Sequence, residues 1–352
     1  MIPSLPVPDF LEQARVLPVI DVRSPGEFAQ GHVPGAVNIP LFSDEERAKV
    51  GTRYKQVSKD SAIVLGLEIV GPKLADFAKR SRKVASNGAV LVHCWRGGMR
   101  SGSFAWLLTT TGLRVATLQK GYKAYRNEVL QRFNQPLPLL VLGGKTGSGK
   151  TDILKELAAL GEQVLDLEGL AHHKGSSFGA LGQPVQPTTE QFENGLHRAW
   201  SELDPGRRVW VEDESKTIGS VTLPPALWTQ MRAAPVAFVD VPQSQRVGRL
   251  VKEYAHFEPA SLKAATQRIE KRLGGLNFQR AMEALQAGEY ARVAEITLDY
   301  YDRAYLYGLS QRNPETVFQL SLAGDHPAES ARLLVEWATA GKPRALLPTP
   351  PR

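Results

Sequence analysis

Val90-Leu-Val-His93-Cys94-Trp-Arg96-Gly97-Gly98-Met-Arg100-Ser101-Gly-Ser103 decides the reading of the first part of the chain. An apolar run enters a glycine-rich loop, and the loop continues into a segment with helical spacing. A cysteine at such a junction lies among backbone N–H groups and at the positive end of a helix; both favour the thiolate. The two glycines let successive N–H groups converge on one anion, and Arg96 and Arg100 bring charge to the same cradle. A buried structural cysteine needs none of these features. Cys94, Arg96 and Arg100 therefore read as a catalytic set, and because Cys94 is the only cysteine, no internal disulfide competes for it.

Working outward, residues 18–22, 89–93 and 114–118 read as strands, and 74–83, 101–111 and 122–133 as helices. That alternation implies an α/β layer with a mainly parallel sheet. The segment Asn134-Gln-Pro136-Leu-Pro138 breaks the pattern just before a fresh apolar run, which puts a domain boundary there, with domains over residues 1–135 and 136–352. Beyond it, 139–142, 163–167, 209–211 and 236–241 read as buried strands separated by helices. Residues 244–311 show only helical patterns, and a fifth strand, 316–320, and a helix, 327–339, follow. The second domain is thus expected to be one parallel sheet whose last strand arrives late, with a helical insertion over about 244–313 where small-molecule kinases carry a lid. The proline-rich tail after Lys342 is expected to be loose.

Gly143-Gly144-Lys-Thr146-Gly147-Ser148-Gly149-Lys150-Thr151 fits G-x-x-x-x-G-K-[ST] between an apolar strand and an apolar-periodic helix, residues 151–160. In that context Gly144, Thr146, Gly147, Ser148 and Gly149 surround a di- or triphosphate with N–H groups. Lys150 adds a point charge and the Thr151 hydroxyl can hold Mg²⁺. A second acidic site, Glu212-Asp213-Glu214, ends the strand 209–211, and Asp213 is the candidate for a metal-bound water. No lysine or arginine is assigned to a nucleotide base. The polar stretch from Asp166 through Glu168, His172 and His173 takes the place that faces a second substrate in P-loop kinases. Adjacent histidines diverge and no spaced ligand completes a set, so substrate contact is expected there rather than metal. No firm metal site is read; Thr151 and Asp213 are the pair if Mg²⁺ is used.

Asp21-Val-Arg23-Ser-Pro-Gly-Glu27-Phe and Gly31-His-Val-Pro-Gly-Ala-Val-Asn38-Ile-Pro40, with the cysteine loop, resemble the rhodanese family of sulfurtransferases over roughly residues 5–133. The resemblance implies that Cys94 carries a transferable chalcogen. Its loop is one residue longer than the Cys-x-x-Gly-x-Arg of many rhodaneses, and His-Cys-x5-Arg is also the signature of cysteine phosphatases. A phosphatase or kinase fusion acting on small phosphorylated molecules is therefore the alternative. Taken with Asp166-Leu-Glu168-Gly-Leu-Ala-His172, the phosphate loop and Val211-Glu-Asp213-Glu-Ser215, the order resembles the bacterial tRNA 2-selenouridine synthase family over nearly the full chain. That resemblance implies a transferase that converts wobble 2-thiouridine of tRNA to 2-selenouridine through S-geranyl-2-thiouridine. It also implies geranyl diphosphate and selenophosphate as substrates, no tightly bound cofactor, and an enzyme that supplies selenophosphate.

Composition is compatible with this. Apolar residues make up 42% and charged residues 22%, within the range of globular proteins. No apolar run approaches the roughly 20 residues of a membrane span, and the start lacks a basic segment followed by an apolar one, so a cytoplasmic protein is expected. The net charge of +7 suits an anionic partner such as RNA. Lys79, Arg80, Arg82 and Lys83 form one basic cluster. Arg246, Arg249, Lys252, Arg268, Lys271 and Arg272 line the insertion, where Arg246 and Arg249 are read either as tRNA contacts or as lid arginines on the diphosphate.

Overall fold

The computed structural model describes residues 2–322 and 324–340, so the tail after Lys342 lies outside the described residues. The chain divides into two compact units. One runs to Arg132 and takes in Glu193–Arg198; the other holds Phe133–Phe192 and the chain from Ala199 onward.

The first unit contains β1 (Ser4–Leu5), β2 (Val19–Asp21), β3 (Val37–Asn38), β4 (Ala89–His93) and β5 (Arg114–Leu118), in the order β1-β5-β4-β2-β3. Every pairing is parallel, with Asp21 opposite His93 and Ala89 opposite Arg114. All five residues of β4 are buried, as befits a strand covered on both faces. On one side Val90 and Val92 pack with Phe77 of the Leu74–Val84 helix and with Phe104, Ala105 and Leu108 of the Met99–Thr110 helix. Helices Val7–Gln13 and Gly121–Arg132 contribute the buried Phe10, Tyr122, Tyr125 and Val129.

The second unit is built on β6 (Leu139–Gly144), β7 (Gln163–Leu165), β8 (Val209–Glu212), β11 (Val236–Asp240) and β12 (Val317–Ser321); a small hairpin, β9 (Thr217–Ile218) with β10 (Val221–Thr222), stands apart. The sheet order is β12-β11-β6-β8-β7, all parallel, with β6 central. β7 is shorter than the run expected from the sequence. The Asp166 carboxylate accepts from Gly169 N at 2.7 Å and caps a helix, Leu167–Ala171, which takes the last apolar residue out of the strand. Between β11 and β12 the helices Gln243–Tyr254, Pro259–Gln267, Glu270–Leu273, Gly275–Gln286 and Tyr290–Ser310 form the insertion. Among the described residues no helix is long and apolar enough to cross a membrane.

Candidate functional site

Two loops carry the chemistry, and each follows the strand that positions it. In the first unit β4 delivers Cys94 into the loop before the Met99–Thr110 helix, with the side chain only 2% exposed. Tyr122 N donates to the Cys94 carbonyl at 2.9 Å, and Lys123 N to that of Trp95 at 3.0 Å. The loop's carbonyls are thereby taken up by the Gly121–Arg132 helix, while the N–H groups of Trp95, Arg96, Gly97 and Gly98 find no acceptor among the described residues. Unpaired N–H groups on successive loop residues are the kind that can hold an anion. This close approach depends on Gly121, which has φ +62° and on which a Cβ would overlap Cys94 O and Gly97 N. The Ser101 hydroxyl lies 3.2 Å from Cys94 Sγ.

The two arginines differ. Arg96 is exposed, whereas Arg100 donates from Nη1 to Glu27 Oε2 at 2.9 Å, so its charge is pinned to a carboxylate of the second motif. Burial pushes the Glu27 carboxyl up, but Arg100 and the Ser24 N–H outweigh it and hold it below its ordinary value. Beside the loop's parent strand, Asp21 and Arg23 form a fully buried ion pair of 2.6 Å. Arg23 also donates to Gly31 O at 2.6 Å and stacks 3.7 Å from the Tyr122 ring centre. Asp21 and Arg23 thus tie β2 to the Gly31 turn and to the Gly121–Arg132 helix.

In the second unit β6 runs straight into the phosphate loop and the Lys150–Ala159 helix. Gly149 has φ +78°, and a Cβ there would meet the Arg249 guanidinium at 2.9 Å. Lys150 Nζ donates to Gly144 O at 2.9 Å, and Lys145 Nζ lies 3.1 Å from Asp240. The Thr151 hydroxyl donates to Glu168 Oε2 at 2.8 Å. Glu214 interacts with Glu168 beside Lys150. Burial first, and Glu168 next, push its carboxyl up to about 8. Glu212, fully buried at the end of β8, accepts from Leu167 N at 3.0 Å, and burial drives its carboxyl well up.

Several sequence expectations change here. Asp213 accepts from Tyr305 OH at 2.9 Å and from Arg312 at 2.5 Å, so both its oxygens are engaged. The same Tyr305 hydroxyl accepts from Gly144 N at 2.9 Å. Arg246 is 2% exposed and makes a bidentate pair with Asp302 at 2.7–2.8 Å, so it contacts no RNA phosphate. Arg249 is shared between Asp152 at 2.6 Å and Asp325 at 2.5 Å. His172, expected to contact substrate, holds Val185 O through Nδ1 at 3.0 Å. Among the described residues no group of three or more His, Cys, Asp or Glu is placed to hold a metal. Tyr305, Arg312 and Glu214 have no role assigned from the sequence: the first two come from the end of the insertion, and only folding brings them to the loop.

Comparison with known proteins decides the family in which these two loops occur together. The profile for the tRNA 2-selenouridine synthase AAA domain matches residues 137–325, and that for a rhodanese-like domain matches residues 7–128. A tRNA 2-selenouridine synthase of Shewanella denitrificans is 35% identical, covering 95% of this chain and 98% of that one. One from Bordetella bronchiseptica is 38% identical over 88% and 92% of the respective chains. The chain belongs to the tRNA 2-selenouridine synthase family. As a member of that family it is a tRNA-modifying enzyme, a transferase joining a rhodanese domain to a P-loop domain, and tRNA is its substrate. The phosphatase–kinase alternative gives way, because the match spans both loops together.

Proposed function

We propose that the two loops serve successive steps on the wobble 2-thiouridine of tRNA. In the first, the phosphate loop holds the diphosphate of geranyl diphosphate. The thiocarbonyl sulfur attacks the allylic carbon, a C–S bond forms, and diphosphate leaves with the electron pair of the C–O bond. Lys150 and the loop N–H groups stabilise that departing charge. Where Mg²⁺ is used, Thr151 and Glu168 would hold it and it would neutralise the departing diphosphate; one or two protein carboxylates suffice for it.

In the second step selenium from selenophosphate adds at C2 and geranylthiolate departs, while the P–Se bond breaks and phosphorus ends as phosphate. The exchange is redox-neutral. Parking selenium on Cys94 as an S–Se adduct needs a reductant to release it. Attack by Cys94 on phosphorus frees selenide without one, and water then clears the phosphocysteine. The observation that carries this step is the set of unpaired N–H groups at Trp95, Arg96, Gly97 and Gly98 in the loop that Cys94 opens. Selenophosphate would come from a separate supplying enzyme.

Purified Cys94→Ser, given thiolated tRNA, geranyl diphosphate and selenophosphate, should accumulate S-geranyl-2-thiouridine and make no 2-selenouridine. Serine keeps the shape but is not ionised near neutral pH. Digestion and nucleoside analysis read the result. Loss of geranylation as well would tie Cys94 to the prenyl step, and normal selenation would remove it from the chemistry.

A further inference from the structure

The second unit holds an apolar cavity that opens on the phosphate loop. Thr146 of the loop lines one end with Leu250, whose Cγ lies 3.2 Å from where a Cβ on Gly147 would be. From there the cavity follows the Gln243–Tyr254 helix. Arg246 binds the Thr146 carbonyl at 3.1 Å at one end of that helix, and Tyr254 packs in a separate apolar cluster at the other. The eight residue steps from one to the other span about 12 Å. Leu262, Leu285 and Val293 of that cluster close the far end.

Several polar groups on the wall are already paired. Thr297 Oγ1 donates to Val293 O at 2.9 Å, and Tyr301 OH accepts from Ser177 N at 2.9 Å. A nucleoside base would lose its hydrogen bonds to water there and find few replacements, whereas a hydrocarbon gains about 0.8 kcal/mol per buried methylene. An anion cradle continuous with a largely apolar cavity fits a phosphate ester with a hydrocarbon tail better than a nucleotide.

We infer that this cavity binds the substrate's hydrocarbon chain and that Leu262, Leu285 and Val293 set the chain length accepted. The inference rests on the reading of the phosphate loop as a diphosphate site and adds the specificity determinant. Val293→Phe fills the far end and Leu285→Ala enlarges it, so the two variants shift selectivity in opposite directions.

The test is calorimetric titration of the full chain with inorganic diphosphate, geranyl diphosphate and farnesyl diphosphate. The native chain should prefer geranyl diphosphate to inorganic diphosphate. Val293→Phe should weaken geranyl diphosphate about tenfold, the loss of roughly two buried methylenes, and leave inorganic diphosphate unchanged. Leu285→Ala should move preference toward farnesyl diphosphate by a similar factor, and it decides the matter alone if Val293→Phe does not fold. Equal affinities for all three ligands, or no shift in Leu285→Ala, would overturn the inference. Failure of the underlying reading looks different: Lys150→Ala would leave inorganic diphosphate binding intact, while geraniol, which has no head group, would still sense the Leu285→Ala change.

Discussion

Glu168 and Glu214 meet beside Lys150, and their shared place gives the phosphate loop a titration of its own. An unfolded glutamate ionises near 4.5; in the fold Glu214 is pushed up to about 8, by burial first and by Glu168 second. Between those values the folded chain holds a proton that the unfolded chain has lost. Glu214 therefore contributes its full stability below about pH 4.5, and the contribution falls away as pH rises through 8. Glu214→Gln is neutral throughout, so its melting temperature should drop less than that of the native chain between pH 5 and pH 8.5. Parallel curves for the two proteins would show that the fold does not hold this proton. The residue-level motif was plain in the sequence, because a phosphate loop is contiguous. Glu168 read as a possible substrate or metal contact, but its bond to Thr151 was not legible, since the two meet only when the Leu167–Ala171 helix folds back, while the strand-end Asp213 is bonded by Tyr305.

Among the elements, the Gln243–Tyr254 and Tyr290–Ser310 helices are clamped by Arg246 and Asp302, one bidentate pair whose arginine also holds the Thr146 and Val241 carbonyls. Arg246→Met leaves the Asp302 charge without its partner, and should lower the stability of the phosphate-loop unit by about 3–5 kcal/mol. The double variant Arg246→Met/Asp302→Leu should recover most of it; urea unfolding measures both. A double variant as unstable as the single one would mean that the backbone carbonyls, not the ion pair, are what Arg246 supplies. Long periodic elements were legible: Ala89–His93 and Pro327–Thr339 have the bounds their apolar patterns imply. Two-residue strands such as Ser4–Leu5 and Val37–Asn38 carry too little pattern to be seen, and the Asp44–Gln56 helix buries no residue, so it has no apolar face to announce it. It is marked instead by its Ser43–Glu46 capping box.

For the molecule as a whole, the charge of +7 has to meet tRNA somewhere other than Arg246. Arg268, Lys271 and Arg272 are exposed on the insertion, with Arg268 bonded to Ser177 O and Arg272 to Tyr300 OH. Replacing all three by neutral residues should weaken tRNA binding and flatten its dependence on salt, by about 0.7–0.9 in the log–log slope for each phosphate no longer neutralised. Filter binding across a salt series measures this, and an unchanged slope would take the insertion out of the RNA footprint. The insertion also governs how the chain is made. Val236 of β11 waits for Val317 of β12. The gap is about 80 residues, which at roughly 5–20 residues per second is about 4–16 s of synthesis. Throughout that interval β11 is an open sheet edge, the kind that recruits stray strands. A nascent chain stalled between the two strands should therefore be the aggregation-prone and chaperone-bound form of this protein.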